Sequence, residues 1–299
     1  MKHWIHAFRL RTLPLAVSSI LVGSALAAFY SEFRGPVFGL ALLTAVLLQV
    51  LSNLANDLGD HLHGTDNDVR VGPQRTVQSG AISPAAMKRA MWICGALALA
   101  SGIALIVVAL GLTTVTLVFL VIGLLAIGAA VKYTYGNNPY GYAGFGDISV
   151  LLFFGLAGVI GTFYLHTASF VPSTILPALG IGLLAAGVLN LNNMRDIHND
   201  AASGKRTVVV RLGWRAAKAY HLFLILGGTT CLVVWSLLHL PHGSRVIVFI
   251  PMISFITHPI SVVRQREPRS LDPELKRLAL SIFVWSLFFA FTIWNDLSP

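Results

Sequence analysis

The sequence predicts an all-α polytopic membrane protein with nine transmembrane helices. Three observations predict it. Of 299 residues, 56% are hydrophobic and 11% are charged, against about a quarter charged in ordinary soluble chains. Asp, Glu, Lys and Arg are absent from Ala90 to Val131 and from Ile148 to Met194, runs of 42 and 47 residues. The basic residues fall almost wholly on alternate segments between apolar runs. Helices of a soluble domain need a polar face. The composition therefore excludes a soluble nucleic-acid binder, a disulfide scaffold and a disordered chain.

Each crossing needs about 20 apolar residues. The first is expected over 12–31, between Arg11 and Glu32, as an uncleaved span rather than a signal peptide. The second is expected over 35–56, from Gly35-Pro36 to the acids at Asp57. The run from Ala90 breaks at Gly111-Leu112-Thr113-Thr114, giving spans over 90–110 and 114–131. The run from Ile148 breaks between His166 and Pro172, giving spans over 148–165 and 172–194. The last three are expected over 219–240, 245–263 and 278–295, with a short turn at Pro241-His242-Gly243-Ser244. The whole chain, 1–299, reads as one domain.

Nine crossings place the N-terminus and the even-numbered loops on one side. That side holds 19 of the 21 Lys and Arg; only Arg34 and Arg245 lie opposite. Such a bias sets the N-terminus in the cytoplasm and the C-terminus outside. The net charge of +9 is therefore topological, with some left for anionic lipid or substrate.

The acids say more, because they contribute little to orientation. Ten of twelve share the basic side, and two clusters close the second and sixth spans. Asn53, Asp57 and Asp60 share one helical stripe, with Asn56 beside it. Asn192, Asp196 and Asp200 share another, with the same Asn-to-Asp spacing of four. Two facing carboxylate ladders repel without a cation, and hard oxygen ligands suit Mg²⁺, which joins carboxylates to phosphate oxygens. A diphosphate is the expected third party. Arg75, Lys132, Tyr133, Arg195 and Lys205 lie near the clusters and, with the amides of Asn53, Asn56 and Asn192, are expected to bind its oxygens. A capping role accounts for one such cluster. Two of matching pattern on one side favour function, since ionisable groups at the membrane boundary are costly.

Other features read as structural. Cys94 and Cys231 are small residues within spans. Gly204-Lys205-Arg206-Thr207 lacks the upstream glycine of a phosphate loop, since that position is Asn199. Glycines such as Gly155, Gly180 and Gly187 suit close helix packing. The loop from Tyr133 to Asp147 holds four tyrosines and four glycines. It reads equally as a wall over the site or as a connector.

Asn56-Asp57-x-x-Asp60 and Asn192-x-x-x-Asp196-x-x-x-Asp200 resemble the two aspartate-rich motifs of the UbiA superfamily of intramembrane prenyltransferases. The resemblance covers nearly the whole chain. Ser52-Asn-Leu-Ala-Asn-Asp-Leu-Gly-Asp60, Gly72-Pro-Gln-Arg75, Pro139-Tyr-Gly-Tyr142, Gly204-Lys-Arg-Thr207 and Leu271-Asp-Pro-Glu-Leu-Lys276 are similar to the branch using 1,4-dihydroxy-2-naphthoate. The resemblance implies Mg²⁺-dependent transfer from a polyprenyl diphosphate to that ring with decarboxylation, a step of menaquinone biosynthesis. It implies metal ligation by Asp57, Asp60, Asp196 and Asp200, which are also the catalytic acids. Gly64 stands where much of the superfamily has a further Asp. That role is carried to Asp66, with Asp68 next in line, or Asp66 is a loop charge. The implied partners are the two substrates and the lipid bilayer, with no nucleic acid. The implied location is a bacterial inner membrane with the site facing the cytoplasm. A 4-hydroxybenzoate enzyme shares these motifs. A secondary transporter predicts polar residues at mid-membrane instead.

Overall fold

The structure is a computed structural model and describes residues 2–66, 71, 72 and 74–296. Asp68 and Arg70 lie outside the described residues. Nine apolar helices long enough to cross a membrane occur among the described residues. They are α1 (Lys2–Phe29), α2 (Gly35–Leu62), α3 (Pro84–Leu110), α4 (Thr114–Lys132), α5 (Gly146–Thr167), α6 (Pro172–Arg195), α7 (Val208–His239), α8 (His242–Arg264) and α9 (Pro268–Asp296). No strand occurs among these residues. The chain is an all-α integral membrane protein.

The crossings fall where the charge-free runs place them, but several helices run one to three turns farther. α2 continues to Leu62, so Asp57 and Asp60 are helical. α3 starts at Pro84, behind Ser83, whose hydroxyl accepts from the Ala86 amide. α7 starts at Val208, capped by the Thr207 hydroxyl. The apolar run marks the hydrocarbon layer, whereas the helix ends where its backbone groups find caps. α1 begins at Lys2 and is broken by a 3₁₀ turn at Leu10–Thr12, with Arg9 at φ 49°. α5 is wound as a π-helix over Leu151–Gly161.

Most consecutive helices pack on one another, α4 lies against α2 and α3, and α9 returns to α1. The main core joins α1, α5, α6, α7, α8 and α9 through side chains such as Phe163, Trp235, Phe255 and Trp285. A second cluster, including Leu54, Leu58, Met87 and Met91, packs beneath the acidic end of α2. α4 buries no residue. Its apolar surface is that of a lipid-facing helix.

Small residues permit the closest approaches. A Cβ on Gly155 would stand 2.6 Å from the Ala178 carbonyl oxygen and 3.0 Å from the Gly182 Cα. Both obstacles are backbone, so neither helix can yield by a rotamer change. Gly155→Ala is expected to cost about 1–3 kcal/mol by overpacking. Thermal unfolding in detergent checks it: the variant melts well below the parent.

Candidate active site

The last turns of α2 carry the first two acids. The Asp57 carboxylate accepts from the Thr76 amide (3.2 Å), the Thr76 hydroxyl (2.6 Å) and the Val77 amide (3.2 Å). It thereby anchors the segment leading into α3. Gly59 lies against the fourth loop, where a Cβ would stand 2.5 Å from the Thr134 carbonyl oxygen. That contact brings the Tyr142 hydroxyl to 2.9 Å from Asp60 Oδ1, to which it donates. Tyr142 also hydrogen-bonds the Thr65 hydroxyl.

The second acidic end departs from a continuous ladder. α6 stops at Arg195, and a short helix, Ile197–Ala202, begins after Asp196. Asp196 stands at the junction, at φ −97° and ψ 9°. The turn carries Asp200 toward α2. Lys205 Nζ lies 3.6 Å from Asp200 Oδ1 and 4.0 Å from Asp60 Oδ1. One ammonium thus bridges the two motifs. Asn199 ties the ends again, donating from Nδ2 to the Thr65 carbonyl at 2.8 Å. The Arg206 amide donates to the Tyr142 carbonyl, so the fourth loop joins the same unit.

These groups are buried, and their titration reflects it. Burial opposes the Lys205 charge, but Asp60 and Asp200 outweigh it and hold the ammonium above the ordinary lysine range. Burial pushes the Asp200 carboxyl up to about 6, against the pull of Lys205. Burial likewise raises the Tyr142 and Tyr133 hydroxyls, which stay protonated donors.

The structure brings Asp57, Asp60, Asp66, Asp196, Asp200 and Lys205 to one end of the bundle. Arg75 joins them with Nε 3.8 Å from Asp66 Oδ2, and the Tyr133 hydroxyl is within the field of Lys205 and Asp60. Asn56 accepts from the Thr134 hydroxyl at 2.8 Å. Four expected phosphate contacts go elsewhere. Asn53 donates to the Phe8 carbonyl and the Thr12 hydroxyl, both at 2.9 Å, and so clamps the break in α1. Lys132 is exposed and donates to the Asn137 carbonyl, capping its own loop. Arg195 is 1% exposed and closes on Asp196, Asp272 and Asn192, and Asn192 accepts from it. Thr65, Thr76, Asn199 and Asp272 were not expected at the site. Only Asp272 had a signal, as the first acid of an Asp-Pro-Glu helix start. The clamped break also exposes a basic cleft of about 360 Å³, lined by Lys2, His6, Arg9, Arg11 and Arg75 with Asp57.

The donors suit a hard divalent ion. They are carboxylate and amide oxygens, and Asp200 Oδ2 is buried without a hydrogen-bond partner. No cluster of three His, Cys, Asp or Glu side chains with metal-binding geometry occurs among the described residues. The acids close instead on the protein's own cations and hydroxyls.

Residues 16–287 match the UbiA prenyltransferase family. The chain belongs to this family. Among curated relatives, the 1,4-dihydroxy-2-naphthoate octaprenyltransferase of Escherichia coli (strain K12) is 44% identical, over 97% of this chain and 94% of its own length. The enzyme of that name from Haemophilus influenzae is 42% identical, over 97% and 95%. A solved UbiA homologue from Archaeoglobus fulgidus, bound to GPP and Mg²⁺, has a TM-score of 0.69 at 18% identity, covering 98% of this chain and 100% of its own. At that identity the likeness shows the UbiA fold. The paired acidic helix ends are thus those of a family member.

Tyr142→Phe removes one hydroxyl that binds Asp60 and Thr65 and keeps the ring. Leaving buried partners unsatisfied costs about 1–3 kcal/mol. Binding of a prenyl diphosphate, measured by isothermal titration, is expected to weaken about tenfold or more, and the melting temperature to fall by a few degrees.

Proposed function

We propose that this protein transfers a polyprenyl group from polyprenyl diphosphate to 1,4-dihydroxy-2-naphthoate, with loss of carbon dioxide, giving demethylmenaquinol. The observation that carries the reading is the near-full-length identity of 44% and 42% to enzymes named for that acceptor. It is supported by a site whose acids and cations come from this chain. One substrate and the product are lipids, which accounts for catalysis inside a membrane.

Asp57, Asp60, Asp66, Asp196 and Asp200 would hold Mg²⁺, whose charge makes the diphosphate a better leaving group. The name of the A. fulgidus homologue, bound to GPP and Mg²⁺, supports that assignment. Lys205, held protonated by Asp60 and Asp200, offers a charged donor to phosphate oxygens. Arg75, beside Asp66, offers a second. The Tyr133 and Tyr142 hydroxyls, raised by burial, donate without losing their protons. The allylic C–O bond breaks with its electron pair on the diphosphate. The ring carbon that bears the carboxylate forms the new C–C bond, and its bond to the carboxylate then breaks, releasing carbon dioxide and returning that electron pair to the ring. The buried setting keeps water from the allylic centre. The excess of Lys and Arg on this side supports a site that faces the cytoplasm, and the bacterial relatives support an inner-membrane location.

Membranes containing the protein, labelled octaprenyl diphosphate and either 1,4-dihydroxy-2-naphthoate or 4-hydroxybenzoate test the reading. Prenylated product is expected only from the naphthoate and only with Mg²⁺, and chelator abolishes it. Asp57→Asn and Asp200→Asn are expected to lose turnover while protein levels hold. Product from 4-hydroxybenzoate alone moves the protein to another acceptor. Retained turnover in both variants contradicts the metal-clamp mechanism.

A further inference from the structure

Arg195 sits inside the second motif, yet its donors are consumed by the protein. Nε lies 3.0 Å from Asp196 Oδ1, and one terminal nitrogen lies 2.7 Å from Asp196 Oδ2. That nitrogen also reaches Asn192 Oδ1 at 2.9 Å. The other terminal nitrogen lies 2.7 Å from Asp272 Oδ1. Asp272 opens the α-helical part of α9, far along the chain. A guanidinium engaged on every side has no fork left for a phosphate. Its geometry suits holding a carboxylate. A two-point Arg–carboxylate pair fixes the plane of the acid as well as its distance. The Asp272 contact then fixes the arginine.

We propose that Asp272 is a positioning residue: acting through Arg195, it sets the carboxylate plane of Asp196 for ligation of the divalent ion. This rests on the Mg²⁺ reading given under Proposed function. Each oxygen of Asp196 carries more than one lone pair, and the Arg195 contacts fix which direction the others point. Partners that orient metal ligands are commonly worth 10–100-fold in metal affinity. Asp272 is itself 43% exposed, so its own removal leaves no buried orphan on α9. What it leaves is a buried arginine with one arm unsatisfied, tethered to Asp196 and Asn192 alone.

The same helix start supplies a control. Glu274 accepts from His258 Nδ1 at 2.9 Å and from the Ser261 hydroxyl at 2.6 Å, and His258 Nε2 lies 3.1 Å from His221 Nε2. This chain runs into α7 and α8, and no contact to Arg195 belongs to it. Breaking it disturbs α9 without touching the Arg195 contacts.

The test is Mn²⁺ binding to the purified full-length protein with inorganic pyrophosphate present, read by the electron paramagnetic resonance of unbound Mn²⁺. Asp272→Asn is expected to weaken Mn²⁺ binding about 10–100-fold. Asp272→Glu restores most of it, and Glu274→Gln lowers the melting temperature without moving Mn²⁺ binding. In turnover, the half-saturating Mg²⁺ concentration rises for Asp272→Asn, while kcat at saturating Mg²⁺ holds. Asp272→Ser repeats the test should the Asn variant fold poorly. Tight Mn²⁺ binding by the wild type with no change in folded Asp272→Asn or Asp272→Ser overturns the inference alone. An equal shift in Glu274→Gln also overturns it. No Mn²⁺ binding by the wild type overturns both the inference and the Mg²⁺ reading.

Discussion

The structure depends on one ammonium, that of Lys205, set between Asp60 of the first acidic helix end and Asp200 of the second. Carboxylates at helix C-termini are electrostatically uphill, because the helix dipole puts partial negative charge there already. Bringing two such ends together buries several acids within one another's field. Buried charges persist only when paired and hydrogen-bonded. Here the pairing is supplied by Lys205 between the ends, Arg195 on Asp196 and Arg75 on Asp66. Arg75 and Lys205 follow the acid clusters in sequence and Arg195 lies within the second, so the counter-charges enter the site with the helix ends.

Everything near the site serves that convergence. Asp57 pins the segment before α3, Tyr142 brings the fourth loop onto Asp60, and Asn199 ties the short helix after α6 to Thr65. Asn53 holds the break in α1, where Arg9 takes the left-handed conformation. A non-glycine residue there is strained, and the clamp from α2 is what maintains it. The break turns Arg9 and Arg11 toward the cleft beside Asp57. The membrane-spanning parts, by contrast, are bare of charge and pack through glycines and large apolar side chains. Chemistry is confined to the helix ends, and the bundle sets their spacing.

Much of this was legible in the sequence. The charge-free runs placed all nine crossings, because the cost of charge in hydrocarbon leaves a mark in composition alone. The paired Asn-to-Asp spacing identified the two ends that meet. Helix ends were less legible, since caps such as Ser83 and Thr207 lie outside the apolar runs that mark a crossing. The break at Asp196 was hidden for a related reason: a spacing of four fits a helix whether or not the helix continues. Roles of single polar residues were the least legible. Asn53, Lys132 and Arg195 have the right type and neighbourhood for phosphate, but three-dimensional partners claim them first. Those partners, Phe8, Asn137 and Asp272, include both near neighbours and a residue on the last helix, and sequence spacing gives no means of choosing among them. The counts that identify Thr65 and Thr76 do not exist, because a lone threonine in a loop carries no pattern.

Through Lys205 the two acidic ends act as one electrostatic unit rather than two. The most direct measurement is a double-mutant cycle on Asp60→Asn and Asp200→Asn, read as binding of geranyl diphosphate in the presence of Mg²⁺. Residues sharing one partner couple by about 0.5–3 kcal/mol. The account predicts that the double variant binds little worse than the weaker single variant. Losses that multiply, with no coupling between the two positions, would contradict it.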